Sequence, residues 1–310
     1  MQHGSKRGKE LIDPELPAPN FFIVGAAKAG TTSLHAYLSS HPQVFMPALK
    51  EPHYFSDFEV SPELDNFLPV IRSRSDYHEL FRDSGGYLAV GEASPSYLCD
   101  PAAAERIKSA IPTAKIIISL RNPVDRAYSH YLMDFNRGSE KLPFEKALEF
   151  DLARREKGWG KSAQYTELGL YTEQVRSFLE RFGRDQVHIV LFEDLVRDTR
   201  ETMRGIARFL GIDPLAFPES AFAQVHNPFE ESRGHVARAI LRMRPIRVWA
   251  KKWIPRKVRT MVRDRLLFAP RPKPQLDRHT RRLLAGRFAE DLQSLERLLE
   301  RDLSALRQVD

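Results

Sequence analysis

Residues 20–32 read Asn-Phe-Phe-Ile-Val-Gly-Ala-Ala-Lys-Ala-Gly-Thr-Thr. The stretch from Asn20 to Gly25 is short and apolar throughout, the pattern of a strand covered on both faces. Thr31 to Ser40 then puts Leu34, Tyr37 and Leu38 on one side of a helix. Between them lie Gly25 and Gly30, five residues apart and followed by Thr31-Thr32. Small residues let backbone N–H groups curl around an anion, and the helix N-terminus adds its positive end. This is the layout of a phosphate-binding loop. The plain alternative is a Gly/Ala turn with Lys28 solvated. The nucleotide-triphosphatase pattern has its lysine directly after the second glycine. Here Thr31 holds that place, and Lys28 lies inside the loop.

Two further buried strands are read at Lys115–Leu120 and Val187–Phe192, with helices over Glu167–Phe182 and Thr199–Leu210. Gly211 stops the last of these. The expected fold is α/β, a central parallel sheet flanked by helices, and ligands in such sheets sit beyond the carboxyl ends of the strands. No strand ends in an aspartate suited to holding magnesium, and Lys115–Leu120 ends in Arg121. Arg121 is followed by Asn122-Pro123, an N-cap with proline at the first helical position. Arg126 and Ser129 lie three residues apart on that helix, so they share a face. An arginine fork beside a hydroxyl suits a phosphate monoester. A surface arginine and a helix-face serine is the plainer reading.

The chain has 310 residues, with 48 Lys and Arg against 41 Asp and Glu, a formal charge of +7. Cys99 is the only cysteine, which excludes a disulfide scaffold and a cysteine-built zinc site. No apolar run reaches the roughly 18 residues of a membrane span. Lys6, Arg7 and Lys9 are not followed by an apolar signal core. Residues 1–19 are expected to form a flexible leader and 20–310 a single domain in the cytoplasm. The charge is uneven. Residues 233–282 carry 17 Lys and Arg against Asp264 and Asp277 alone. This basic, helical C-terminal region reads as a solvated face, as a surface for an acidic acceptor, or as a peripheral contact with an anionic inner-membrane surface. Apolar residues at 284, 288, 292, 295, 299, 303 and 306 predict one long amphipathic helix. No nucleic-acid recognition motif is present, and nucleic acid is not an expected partner.

Ala-Ala-Lys-Ala-Gly-Thr-Thr-Ser-Leu from Ala26, Lys50-Glu51-Pro52-His53-Tyr54-Phe55, Gly91-Glu92-Ala93-Ser94-Pro95-Ser96-Tyr97-Leu98 and Arg121 to Tyr131 occur in that order. Together they resemble the sulfotransferases that use 3′-phosphoadenosine 5′-phosphosulfate, and most of all the bacterial and heparan-sulfate-type branch with its P-loop-like architecture. The resemblance runs from about residue 20 to 210. It implies that Ala27, Lys28, Ala29, Gly30, Thr31 and Thr32 hold the 5′-phosphosulfate, while Arg121 and Ser129 hold the 3′-phosphate. It implies Glu51 as the general base, with His53 as the alternative, and Lys28 as the group that stabilises the leaving phosphate. No metal is required. Tyr171 is expected near the nucleotide or in the core, and Arg233 within reach of the 3′-phosphate. Glu92, Ser94 and Tyr97 are expected on the acceptor side. Ala93 stands where heparan-type members carry a substrate-contacting lysine, which argues against a heparan-like acceptor. The expected acceptor is a hydroxyl of a glycan, glycolipid or small molecule. The competing classes are a P-loop kinase or nucleotidase, and a non-enzymatic polyanion- or membrane-binding protein.

Overall fold

The computed structural model describes residues 12–13, 15–58, 70–153, 164–223, 230–232, 253, 258, 268–270 and 272–308. Arg233 and most of the basic segment, like residues 1–11 of the leader, lie outside the described residues. Five parallel strands form the central sheet: β1 (Phe21–Gly25), β2 (Val44–Phe45), β3 (Ala89–Ala93), β4 (Lys115–Leu120) and β5 (Val187–Leu191), in the order β2-β3-β1-β4-β5. Successive β1 side chains point to opposite faces. Phe22 and Val24 join one core, and Phe21 and Ile23 the other.

The first core is covered by α3 (Ser96–Cys99), α4 (Ala103–Ala110), α5 (Pro123–Arg137), α7 (Thr172–Phe182) and α10 (Arg278–Leu299), which deliver Leu98, Ile107, Val124, Phe178 and Phe288. The second core lies under α1 (Thr31–Ser39) and α9 (Thr199–Leu210), through Leu34, Leu38, Met203 and Ile206. The remaining elements are α2 (Arg74–Glu79), α6 (Phe144–Ala153), α8 (Phe192–Arg197) and an antiparallel pair, β6 (Glu230–Ser232) with β7 (Phe268–Pro270). Among the described residues no helix is long and apolar enough to cross a membrane.

Several boundaries follow from local chemistry. Asn122 caps α5 by accepting from the Val124 and Asp125 N–H groups, and Gly138 ends it at φ 76°. Asp198 caps α9, and Gly211 closes it in the left-handed conformation. Two helices are shorter than the sequence predicts. Glu167–Gly169 is a separate 3-10 turn, and α7 begins at Thr172, because the Asp291 carboxylate caps it there. The C-terminal helix stops at Leu299, where Glu300 takes a left-handed φ of 51°. Leu303 and Leu306 still reach the core, the first just before a 3-10 turn at Ser304–Arg307 and the second within it.

Of the leader, Ile12 is buried. Asp13 pairs with Arg74 at 2.9 Å, and the Pro17 carbonyl accepts from His78 Nδ1. These contacts hold Asp13 and Pro17 against α2. Gly91 sits in β3 opposite Phe21, and a Cβ there would collide with the Phe21 ring and Met46 Sδ. Gly91→Ala is therefore expected to destabilise the fold by about 1–3 kcal/mol, the usual range for overpacking, read from the urea midpoint.

Candidate active site

β1 ends at Gly25, and the loop to α1 lies beside the end of β4. The Ala26 N–H donates to the Ser119 carbonyl, and Ser119 Oγ donates to the Ala29 carbonyl. Arg121 Nη1 donates to the Lys28 carbonyl at 3.1 Å. Two loop carbonyls are thus turned onto β4 and its extension. Lys28 has φ 67° and Gly30 has φ 84°, both left-handed, and this reverses the chain into the helix. The N–H groups of the first turn of a helix have no acceptor within it. Thr31 and Thr32 open α1 here, with Thr31 buried and Thr32 exposed.

Lys28 leaves this loop and runs to α5, where its Nζ lies 3.5 Å from Met133 Sδ. A thioether is a weak acceptor for an ammonium. Burial first, and then the charge of Arg137, lower the Lys28 pKa to about 8, against the opposing pull of Asp134 and Glu51. The loop therefore presents a desolvated cation that an anion would satisfy.

Arg121 stacks on Phe192, with its guanidinium carbon 4.4 Å from the ring centroid. Its backbone carbonyl accepts the Tyr171 hydroxyl at 2.9 Å. Tyr171 is fully buried, so it supports Arg121 from beneath and has no surface to offer a ligand. It was expected near the nucleotide or in the core, and it occupies the core position. Ser129 is half-buried on α5. Arg126 does not share its setting. The Arg126 side chain is fully buried and donates to the Tyr165 carbonyl, so the α5 surface beside Ser129 lacks the second guanidinium that the helical spacing predicts. A cation from far along the chain, Lys273, does reach α5, with Nζ 5.5 Å from the Tyr128 ring centroid. Burial, then Arg121, bring the Lys273 pKa down to about 8. The sequence offered no spacing that links residue 273 to α5.

Glu51 follows β2 and has φ 62°. Its N–H donates to the Ala93 carbonyl at the end of β3, and its carboxylate pairs with Lys50. Burial acts to raise its pKa, but the Lys50 charge and the hydrogen bond from Lys50 outweigh that and leave it below the ordinary carboxylate value. Glu51 is 28% exposed at its side chain, so it stays ionised and reachable. His53 is the opposite case. It is fully buried, its Nδ1 lies 2.6 Å from Ser96 Oγ, and burial lowers its pKa to about 4. A sealed, neutral imidazole is badly placed to take a proton from an incoming ligand.

Glu92, Ser94 and Tyr97 are also internal, each with no exposed surface. They face one another under the Glu51 turn, and none of them lines an acceptor side.

Residues 19–216 match the model of the sulfotransferase family. The crystal structure of a sulfotransferase from Alicyclobacillus acidocaldarius aligns with 94% of this chain and 99% of its own, at a TM-score of 0.73 and 34% identity. Carbohydrate sulfotransferase 15 of Mus musculus is 27% identical over 74% of this chain and 50% of its own length. Heparan sulfate glucosamine 3-O-sulfotransferase 6 of Mus musculus is 30% identical over 63% of this chain and 52% of its own. The chain thus spans about half the length of these two relatives.

Because Tyr171 bonds the Arg121 carbonyl in a buried setting, Tyr171→Phe is expected to cost about 1 kcal/mol, the net worth of one such hydrogen bond. Equilibrium denaturation of the two proteins checks this.

Proposed function

The chain belongs to the sulfotransferase family, and from that premise we propose that it moves a sulfuryl group from 3′-phosphoadenosine 5′-phosphosulfate to a hydroxyl group, with a carbohydrate as the acceptor class. One observation carries the reading. Lys28 is a half-buried cation inside a phosphate-loop turn, and its described hydrogen-bonding partner is a thioether. Arg121 and Ser129 supply a second anion-binding position at the end of the neighbouring strand. A 3′,5′-bisphosphate asks for two separate positions of this kind, whereas a triphosphate asks for one extended cradle. The carbohydrate class is taken from the names of the relatives with matching motifs.

The donor supplies an activated sulfuryl group whose leaving group is a phosphate. The turn from Ala27 through Lys28, Ala29 and Gly30 to Thr31 and Thr32 binds the 5′ end through N–H and hydroxyl donors. The Lys28 ammonium meets the charge that grows on the bridging oxygen, the place where electrostatic stabilisation lowers the barrier most. Arg121 and Ser129 fix the 3′-phosphate. Arg121 does so as a guanidinium already oriented by Phe192 and the Lys28 carbonyl. Glu51 accepts the proton of the acceptor hydroxyl. Its pairing with Lys50 keeps it ionised in the free protein, and opening of that pair as the acceptor enters strengthens it as a base.

Calorimetry with adenosine 3′,5′-bisphosphate is the first test, with AMP and ATP as controls. The bisphosphate is expected to bind selectively, and Arg121→Ala to weaken it by about tenfold or more, the cost of a charge-assisted hydrogen bond. Equal binding of AMP would sink the second anion position. Lys28 gives the pH dependence. Its free pKa is about 8, and a bound anion restores the ordinary, higher value. Binding then takes up a proton above pH 8, and affinity falls by up to about one decade per pH unit between roughly 8 and 10. Titrations in buffers of different ionisation heat read that uptake directly.

Glu51→Gln is expected to lower the release of bisphosphate from the donor by about 100-fold or more, within the span attributed to general-base catalysis. Its affinity for the bisphosphate should stay within about twofold of the parent value. Near-normal release would remove Glu51 from the mechanism.

A further inference from the structure

Glu92 lies in β3 with no exposed surface, and three hydroxyl groups surround its carboxylate. Tyr77 and Tyr97 donate to Oε2 at 2.7 and 2.9 Å, and Ser94 donates to Oε1 at 2.6 Å. A hydroxyl has one proton and two lone pairs. Because Ser94 and Tyr97 commit their protons to Glu92, their oxygens face other neighbours only as acceptors. Ser94 Oγ accepts the His53 N–H at 3.1 Å, and the Tyr97 oxygen accepts the Phe55 N–H at 3.3 Å. The Glu51 N–H, two residues earlier, goes to the Ala93 carbonyl at 3.0 Å. Alternate N–H groups of the turn are therefore received by one short segment, residues 93–97. Two of the three acceptors depend on where Glu92 draws its protons.

This turn needs an external hold. Glu51 and His53 have φ values of 62° and 54°, a region that side chains with a Cβ seldom occupy. We propose that Glu92 is a positioning residue, whose carboxylate keeps the Ser94 and Tyr97 oxygens as acceptors for the His53 and Phe55 N–H groups and so fixes the turn that presents Glu51. The effect on turnover rests on the reading of Glu51 as the base. The effect on the turn does not.

The charge state of Glu92 supplies a signature that a purely structural role lacks. Burial raises its pKa to about 7, although its three hydroxyl donors pull the other way. Tyr77 faces it from α2, Tyr97 from α3 and Ser94 from the end of β3; Tyr54 stacks on Tyr77 at 4.1 Å, and β1 places Phe22 beside it in register. His53, neutral on a pKa of about 4, adds no charge over this range. Protonated Glu92 has a proton of its own to donate, so one hydroxyl must turn, and the hold on the turn weakens as pH falls through about 7.

Hydrogen exchange of the peptide covering residues 51–56 tests this without any acceptor. After correction for intrinsic rates, the wild-type peptide is expected to lose protection below about pH 7. Glu92→Gln, whose amide does not titrate and donates from one side, is expected to exchange faster by about tenfold at pH 8, with the pH dependence gone. Release of bisphosphate from the donor should fall by about tenfold or more, in line with the rate cost of a misplaced catalytic group, and bisphosphate affinity should hold within about twofold. Unchanged exchange in Glu92→Gln, or a pH step that survives the substitution, overturns the proposal. If Glu92→Gln does not fold, Ser94→Ala and Tyr97→Phe carry the same test, since each removes one acceptor, and protection lost at neither overturns it. Faster exchange with unaltered donor turnover would leave the positioning of the turn intact and count against Glu51 as the base.

Discussion

Everything at the site depends on how the chain is turned between β1 and α1. A strand and a helix joined this tightly leave several backbone carbonyls near the space where an anion would sit, and a carbonyl there would repel it. Ser119 and Arg121 remove two of them by drawing the Ala29 and Lys28 carbonyls toward β4. The turn then has the first N–H groups of α1, the Thr31 and Thr32 hydroxyls and the Lys28 ammonium to offer. Parallel pairing of β1 with β4 sets this up, since it brings the ends of two non-consecutive strands to the same edge. Arg121 serves twice, as a clamp on the turn and as a cation.

The support of Arg121 reaches a long way along the chain. Asp291, on α10, accepts the Tyr171 and Thr172 N–H groups; the Tyr171 hydroxyl bonds the Arg121 carbonyl. The next residue, Asn122, is held by the Glu193 carboxylate and by the Gln308 carbonyl. The end of β4 is thus fastened from β5's side, from α10 and from the segment after it. Helices packed by apolar contact alone can slide, whereas these directed bonds give the arginine one address.

The strands that carry most of the core were legible because their apolar runs are short and bounded. β4 matches its expected limits residue for residue, and β1 and β5 differ by one residue. The N-cap and proline at the start of α5 were equally plain. β3 was not read as a strand. Ala-Val-Gly-Glu-Ala contains a glycine and a carboxylate, both rare in a buried strand, and only the hydroxyls brought from α2 and α3 make the carboxylate tolerable there. The same long-range closure takes Glu92, Ser94 and Tyr97 into the interior, away from the acceptor side that the family resemblance implies. Helical spacing puts Arg126 beside Ser129, but the Arg126 side chain turns inward and is spent on the Tyr165 carbonyl. The break after Leu299 escaped notice because Leu303 and Leu306 continue the apolar rhythm across a change of helix type.

The strand order has a consequence for direction. The residues proposed for the nucleotide stand at the ends of β1 and β4; the proposed base is bonded to the end of β3, on the other side of β1. On that proposal donor and acceptor would approach from opposite flanks of one strand, along a line that runs across the sheet. Strands in a sheet stand about 4.8 Å apart whatever their sequence. The distance over which the proposed transfer would pass is then gauged by a backbone repeat, a ruler that side-chain substitution can blunt but cannot re-mark.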